Sequence, residues 1–146
     1  MTDAPFRIML AEDNRPDVFL IRQALQEAGL KFELQTFDDG EAACEFLEKV
    51  DTGEASDEID LLLLDLNLPK KNGEQVLERL RKIARMNHVP VVILTSSDSA
   101  KDRAEVARLG GTLYLTKPCD LEGFMQLGPV IRQVLDNTHS SRNAQG

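Results

Sequence analysis

The polar residues with the clearest chemical potential come directly after apolar runs: Glu12, Asp13, Asp65, Thr95 and Lys117. Asp65 stands out because it ends a run of four leucines, which predicts a strand buried on both faces. Pro69 and Gly73 predict a turn soon afterwards. A carboxylate at the end of such a strand is unfavourable unless a cation meets it. We therefore expect Asp65 to face a loop beside a positive charge.

The apolar pattern predicts an α/β fold made of five strand–helix repeats. Short apolar runs at 6–10, 32–37, 61–64, 91–94 and 113–116 predict strands, and apolar residues recur at helical spacing between and after them. The repeats predict a flavodoxin-like (βα)5 fold, a doubly wound parallel sheet with strand order 2-1-3-4-5. Because the carboxyl ends of parallel strands share one edge, the polar residues above should meet there.

Two of the five predicted helices have unusual sequences. The fourth has only alanines as an apolar stripe, at positions 100, 104 and 107, so we expect it to bury little surface. Gly128 and Pro129 interrupt the fifth and predict a kink or a broken first turn. The predicted organisation is an N-terminal extension at 1–5, one domain at 6–138 and a disordered tail at 139–146.

Length and charge limit the possible function classes. The 146 residues suffice for one domain, and a net charge of -8 argues against nucleic-acid or anionic-membrane partners. No apolar stretch approaches the ~18 residues of a membrane helix, and the N-terminus does not resemble a signal peptide. Cys44 and Cys119 form no C-x-x-C pair, which predicts reduced thiols without a metal role. These features predict a cytoplasmic protein.

The acidic edge predicts a magnesium site with phosphoryl chemistry. Three carboxylates in one cleft repel each other unless a cation is present. Oxygen ligands with room for water suit Mg²⁺, and the sequence offers no His/Cys set for zinc. As a point charge, Lys117 is expected to contact one partner well, with Asp65 a plausible one. A carboxylate held by two cations beside a hydroxyl is arranged to accept a phosphoryl group.

These residues and their spacing closely resemble the receiver domain of bacterial response regulators. The resemblance covers about residues 6–138, and the matching positions are Glu12-Asp13, Asp65, Thr95, Tyr114 and Lys117-Pro118. Thr95 follows Asp65 by 30 residues and Lys117 follows it by 52, counted from the sequence. The resemblance implies a phosphorylation-dependent signalling switch that is not an enzyme.

The resemblance assigns a role to each residue of the acidic site. Asp65 would be the phosphoacceptor, taking the phosphoryl group from a phosphohistidine on a sensor kinase or phosphotransfer protein. The side chains of Asp13 and Asp65 and the backbone carbonyl of Asn67 would hold Mg²⁺, with Glu12 contributing. Lys117 would contact a phosphoryl oxygen.

The resemblance also implies a switch and a signalling surface. Thr95 would hydrogen-bond the phosphoryl group and draw the following loop inward, and Tyr114 would rotate toward the space that Thr95 leaves. The family often homodimerises through the face made by helix 4, strand 5 and helix 5. The run Leu-Asn-Leu-Pro-Lys-Lys-Asn-Gly at 66–73 resembles single-domain regulators paired with bacterial phytochrome kinases. Without an output domain, the signal would leave by protein–protein contact.

Two other functions remain as alternatives. A small phosphatase with an aspartyl nucleophile needs a general acid two residues after Asp65, where this chain has Asn67. A flavin-binding module needs amides and hydroxyls after the first strand to hold phosphate, whereas Glu12 and Asp13 would repel it. The sequence identifies neither the cognate kinase nor the target, the oligomeric state or the rate of autodephosphorylation.

Overall fold

Five parallel strands form one sheet in a computed structural model that describes residues 4–56 and 58–145. The strands are β1 (Phe6–Ala11), β2 (Phe32–Phe37), β3 (Leu61–Leu64), β4 (Val91–Thr95) and β5 (Leu113–Thr116). Their order is β2-β1-β3-β4-β5, which confirms the predicted flavodoxin-like topology.

Within the described residues, six α-helices pack around the sheet or follow it. They are α1 (Arg15–Glu27), α2 (Gly40–Asp51), α3 (Gly73–Arg81), α4 (Ala100–Arg108), α5 (Leu121–Met125) and α6 (Leu127–Gln145). Asparagine or aspartate side chains cap the first three and α5, each accepting a backbone N–H from the first turn. No helix among the described residues is long and apolar enough to cross a membrane.

The four leucines of β3 divide between the two cores of the molecule. Leu62 and Leu64 belong to the core under α2 and α3, whereas Leu61 and Leu63 belong to the core under α1, α5 and α6. All four are fully buried. This alternation explains why an unbroken apolar run is stable here, since a central parallel strand is covered on both faces.

The weak fourth helix is present, but its apolar stripe was predicted wrongly. Ala100, Ala104 and Ala107 are exposed, and Val106 is the residue of α4 that is buried. The branched side chain of valine buries more apolar surface against the core than the single methyl group of an alanine can. α4 therefore buries little apolar surface, as expected, through a different residue.

The C-terminal region contains the interruption that Gly128 and Pro129 predicted. The predicted fifth helix is broken into α5 and α6, and the break falls at Gln126, just before Gly128 and Pro129. Pro129 has no N–H for the preceding turn, which favours an interruption there. α6 extends to Gln145 and so overlaps the tail at 139–146, whose disorder stays a prediction. The sequence from 130 to 145 contains neither glycine nor proline to end the helix.

Candidate functional site

Two backbone hydrogen bonds join neighbouring strand ends at one edge of the sheet. The Asp65 N–H donates to the Ala11 carbonyl at 3.1 Å, which places the end of β3 beside the end of β1. The Lys117 N–H donates to the Thr95 carbonyl at 2.7 Å and joins the ends of β5 and β4. This edge is where parallel α/β sheets bind their ligands.

The Lys117 ammonium lies at the centre of the acidic cluster. Its Nζ is 2.8 Å from Glu12 Oε1, 2.8 Å from Asp17 Oδ2 and 3.0 Å from Asp65 Oδ2. The contact with Asp65 was predicted, but the expectation of a single good partner was wrong. The ammonium has three N–H donors, and the fold provides an acceptor for each of them.

Burial and shared charge perturb the protonation of this cluster. The pKa of Glu12 is raised to about 7, because burial and the nearby charge of Asp65 together outweigh the hydrogen bond from Lys117 that lowers it. Burial alone would lower the pKa of Lys117, but hydrogen bonds to Asp17, Glu12 and Asp65 raise it well above its usual range. One ammonium cannot balance three carboxylates, so the metal-free cluster favours a proton on Glu12.

Three carboxylates of the site could hold a metal ion. One ligand oxygen each from Glu12, Asp13 and Asp65 lies within 4.8 Å of the others. Glu12 and Asp65 are buried, whereas Asp13 is exposed and leaves the cluster open to solvent on one side. Hard oxygen donors with an open side suit a divalent cation that keeps part of its water shell.

The residues after β3 orient the Asp65 side chain. The Asn67 N–H donates to Asp65 Oδ1 at 3.1 Å, while Asp65 Oδ2 accepts from Lys117. Gly73 begins α3 immediately behind this turn, and a Cβ there would collide with the Asp65 carbonyl oxygen. The Asn67 side chain is exposed, and the role of its carbonyl as a metal ligand stays a prediction.

Thr95 and Tyr114 contact the same loop between β4 and α4. Thr95 is fully buried, and its Oγ1 accepts long hydrogen bonds from the Ser97 N–H at 3.4 Å and from Asn67 Nδ2 at 3.5 Å. The Tyr114 hydroxyl donates to the Ser97 carbonyl at 2.9 Å, and the Arg103 guanidinium lies 4.4 Å from its ring centroid. The two predicted switch residues therefore both hydrogen-bond to the backbone of Ser97.

Asp17 is the site residue that sequence reasoning missed. It lies in the first turn of α1, where its N–H donates to the capping side chain of Asn14 at 3.0 Å. Acids are common in that position because they suit the positive end of a helix, so the residue had an ordinary explanation. The one available signal was its closeness in sequence to Glu12 and Asp13.

The chain matches known proteins over most of its length. Residues 8–127 match the model of the response regulator receiver domain. The chain is 35% identical over 126 residues to the response regulator Rcp1 of Synechocystis sp. strain PCC 6803, covering 86% of each chain.

Solved structures agree with this match. The structure of the phosphorylated cyanobacterial phytochrome response regulator RcpA superposes with a TM-score of 0.82 at 33% identity, covering 92% of this chain and 96% of RcpA. The Mn²⁺-bound form of Rcp1 superposes with a TM-score of 0.77 at 35% identity, covering 87% of this chain and 91% of Rcp1. With its sheet order and its cluster of strand-end acids, the chain belongs to the response regulator receiver family.

Proposed function

We propose that Asp65 accepts a phosphoryl group from a phosphohistidine on a sensor histidine kinase or a phosphotransfer protein. The chain is a receiver domain of two-component signalling, and receiver domains of this family imply a histidine kinase partner. The supporting observation is the setting of the Asp65 carboxylate, which lies between the Lys117 ammonium at 3.0 Å and the Asn67 N–H at 3.1 Å, beside Glu12.

In this reaction an Asp65 carboxylate oxygen attacks phosphorus, and the phosphorus–nitrogen bond to the histidine breaks. The imidazole leaves with the bonding electron pair, and an acyl phosphate forms on Asp65. The Lys117 ammonium neutralises charge on a phosphoryl oxygen, and Thr95 supplies a hydroxyl at the same edge. Because the Asp65 carboxylate is already held in place by Lys117 and Asn67, little reorganisation of the site is needed before it attacks.

The residues fit a divalent cation, and we infer that it is Mg²⁺. Glu12, Asp13 and Asp65 would hold it, with the Asn67 carbonyl as a further oxygen ligand. Bound Mg²⁺ would neutralise negative charge on the phosphoryl oxygens. Rcp1 has been solved with Mn²⁺, which has a similar preference for oxygen ligands.

Phosphorylation would be read out at the surface of α4, β5 and α5–α6. A phosphoryl group adds about 1.5 to 2 negative charges beside Thr95. Thr95 would move toward it, and Tyr114 would lose its present hydrogen bond to Ser97 and turn inward. This rearrangement would expose a surface for a homodimer or another protein partner.

We propose a bacterial phytochrome as the sensor kinase, because the similar chain RcpA is a cyanobacterial phytochrome response regulator. We also propose that this chain acts in the cytoplasm. The chain would act as a switch that catalyses only its own phosphorylation and dephosphorylation. The matched relatives named above are response regulators and give no support to the phosphatase alternative.

Labelling with acetyl phosphate and Mg²⁺ tests the proposal. Intact-mass spectrometry should find one added phosphoryl group, and peptide mapping should place it on Asp65. Asp65→Asn should abolish labelling, whereas Asp38→Asn, which removes an exposed acid after β2, should leave it unchanged. Labelling of Asp65→Asn at a different residue, to the level of the parent, would refute the assignment.

A further inference from the structure

We propose that Asp17 is a positioning residue that retains the Lys117 ammonium when a metal ion takes the oxygens of Glu12 and Asp65. The inference rests on the proposed magnesium site. It concerns the competition between two cations, the lysine and the metal, for the same carboxylates.

The Lys117 ammonium contacts three carboxylates. Its Nζ lies within 3.0 Å of Asp65 and within 2.8 Å of Glu12 and of Asp17. The side chains of Lys117 and Asp17 are 12% and 17% exposed, so water replaces a lost contact poorly. Asp17 is therefore an ionic partner as close as either of the other two.

The metal ligand group contains two of these three partners and leaves out the third. Glu12 and Asp65 offer oxygens to both cations, whereas the grouped ligand oxygens come from Glu12, Asp13 and Asp65 and not from Asp17. A metal ion arriving on Glu12 and Asp65 weakens their hold on Lys117. Asp17 then remains as the carboxylate that keeps the ammonium at the site.

The helix start fixes Asp17 where this role requires it. Asn14 caps α1 through the Asp17 N–H, and the Asn14 N–H in turn donates to Glu12 Oε2 at 3.1 Å. Stabilisation of the positive end of α1 would explain an acid at this position, but it would not require the carboxylate to contact an ammonium from β5. The contact with Lys117 is thus built from two elements 100 residues apart.

Removing the Asp17 charge should destabilise the metal-bound state more than the metal-free state. In the metal-free Asp17→Asn variant, Lys117 keeps Glu12 and Asp65 as ionic partners. In the metal-bound variant, those two carboxylates hold the metal ion, and Lys117 has lost its main remaining partner. Asp17→Asn should therefore weaken Mg²⁺ binding about five- to tenfold, as expected for coupling through a contacting charged pair. Asp17→Glu keeps the charge and should stay within about twofold of the parent.

Calorimetric Mg²⁺ titration of the full chain tests this in the parent and five variants, which are Asp17→Asn, Asp17→Glu, Asp38→Asn, Lys117→Ala and the double variant of Lys117→Ala with Asp17→Asn. Asp38→Asn is the matched control, because it removes an exposed acid at the same edge with no ion pair to Lys117. In a Lys117→Ala background, Asp17→Asn should have no more effect than Asp38→Asn has in the parent. Thermal unfolding of each variant verifies that it is folded.

The outcomes separate the inference from the function on which it rests. A specific loss in Asp17→Asn, rescued by Asp17→Glu and absent without Lys117, supports the inference. Equal effects of Asp17→Asn and Asp38→Asn, or an undiminished effect without Lys117, overturn it while leaving the magnesium site standing. A parent chain that binds no Mg²⁺ overturns both.

Discussion

Lowering the pH from about 8 to about 6 should weaken Mg²⁺ binding because Glu12 takes up a proton. Burial and the nearby charge of Asp65 raise the pKa of this carboxyl from 4.5 to about 7, against the hydrogen bond from Lys117 that lowers it. The protonated form is neutral and is a poor metal ligand. Mg²⁺ must therefore displace the proton before it can use Glu12.

The size of the effect follows from that pKa. With a value of about 7, roughly one Glu12 in ten is protonated at about pH 8 and roughly nine in ten at about pH 6. The apparent affinity should thus fall about tenfold over this range, since only the ionised fraction binds. The sign is fixed by the raised pKa, because a carboxyl at its ordinary pKa would be ionised throughout.

Isothermal titration calorimetry in two buffers of different ionisation enthalpy measures both the affinity and the protons released. The parent should release about half a proton per Mg²⁺ near pH 7. Glu12→Gln should bind more weakly and show a flat pH dependence between about pH 6 and 8. A flat curve for the parent, or an undiminished slope in Glu12→Gln, would refute the reasoning.

Two further predictions concern the residues around Asp65. Lys117→Ala should still bind Mg²⁺ and accept phosphate, but NMR shifts of α4 and β5 should no longer change on phosphorylation; unchanged shift differences would contradict its role in coupling. Gly73→Ala should lower the free energy of unfolding in urea by about 2 kcal/mol and slow labelling, because its Cβ would collide with the Asp65 carbonyl. Stability and labelling equal to those of the parent would contradict this prediction and show that the turn accommodates the added Cβ.

The strand-end site was predictable because it depends on short-range patterns and one topological rule. The leucine run and the turn at Pro69 identify Asp65 as a strand-end acid, and parallel topology brings the other strand ends beside it. The structure confirms the sheet order, and the Lys117 ammonium lies 3.0 Å from Asp65 as this topology predicted. Neither conclusion needed the details of side-chain packing.

The features that were missed depend on contacts between elements. Asp17 has a local explanation as a helix-start acid, and only the approach of β5 to α1 turns it into a partner for Lys117. The alanines of α4 suggested an apolar stripe, whereas Val106 is the residue that packing buries. Sequence patterns cannot rank side chains that compete for one space.

The central strand β3 is packed much more tightly than the helix α4. Leu61–Leu64 are packed against both cores, so the chain that carries Asp65 has almost no freedom to shift. In α4, by contrast, Val106 is the one residue that is buried. We therefore expect a structural change at Asp65 to displace α4 rather than β3. The direction of the signal is then set by the packing of this chain, before any partner is bound.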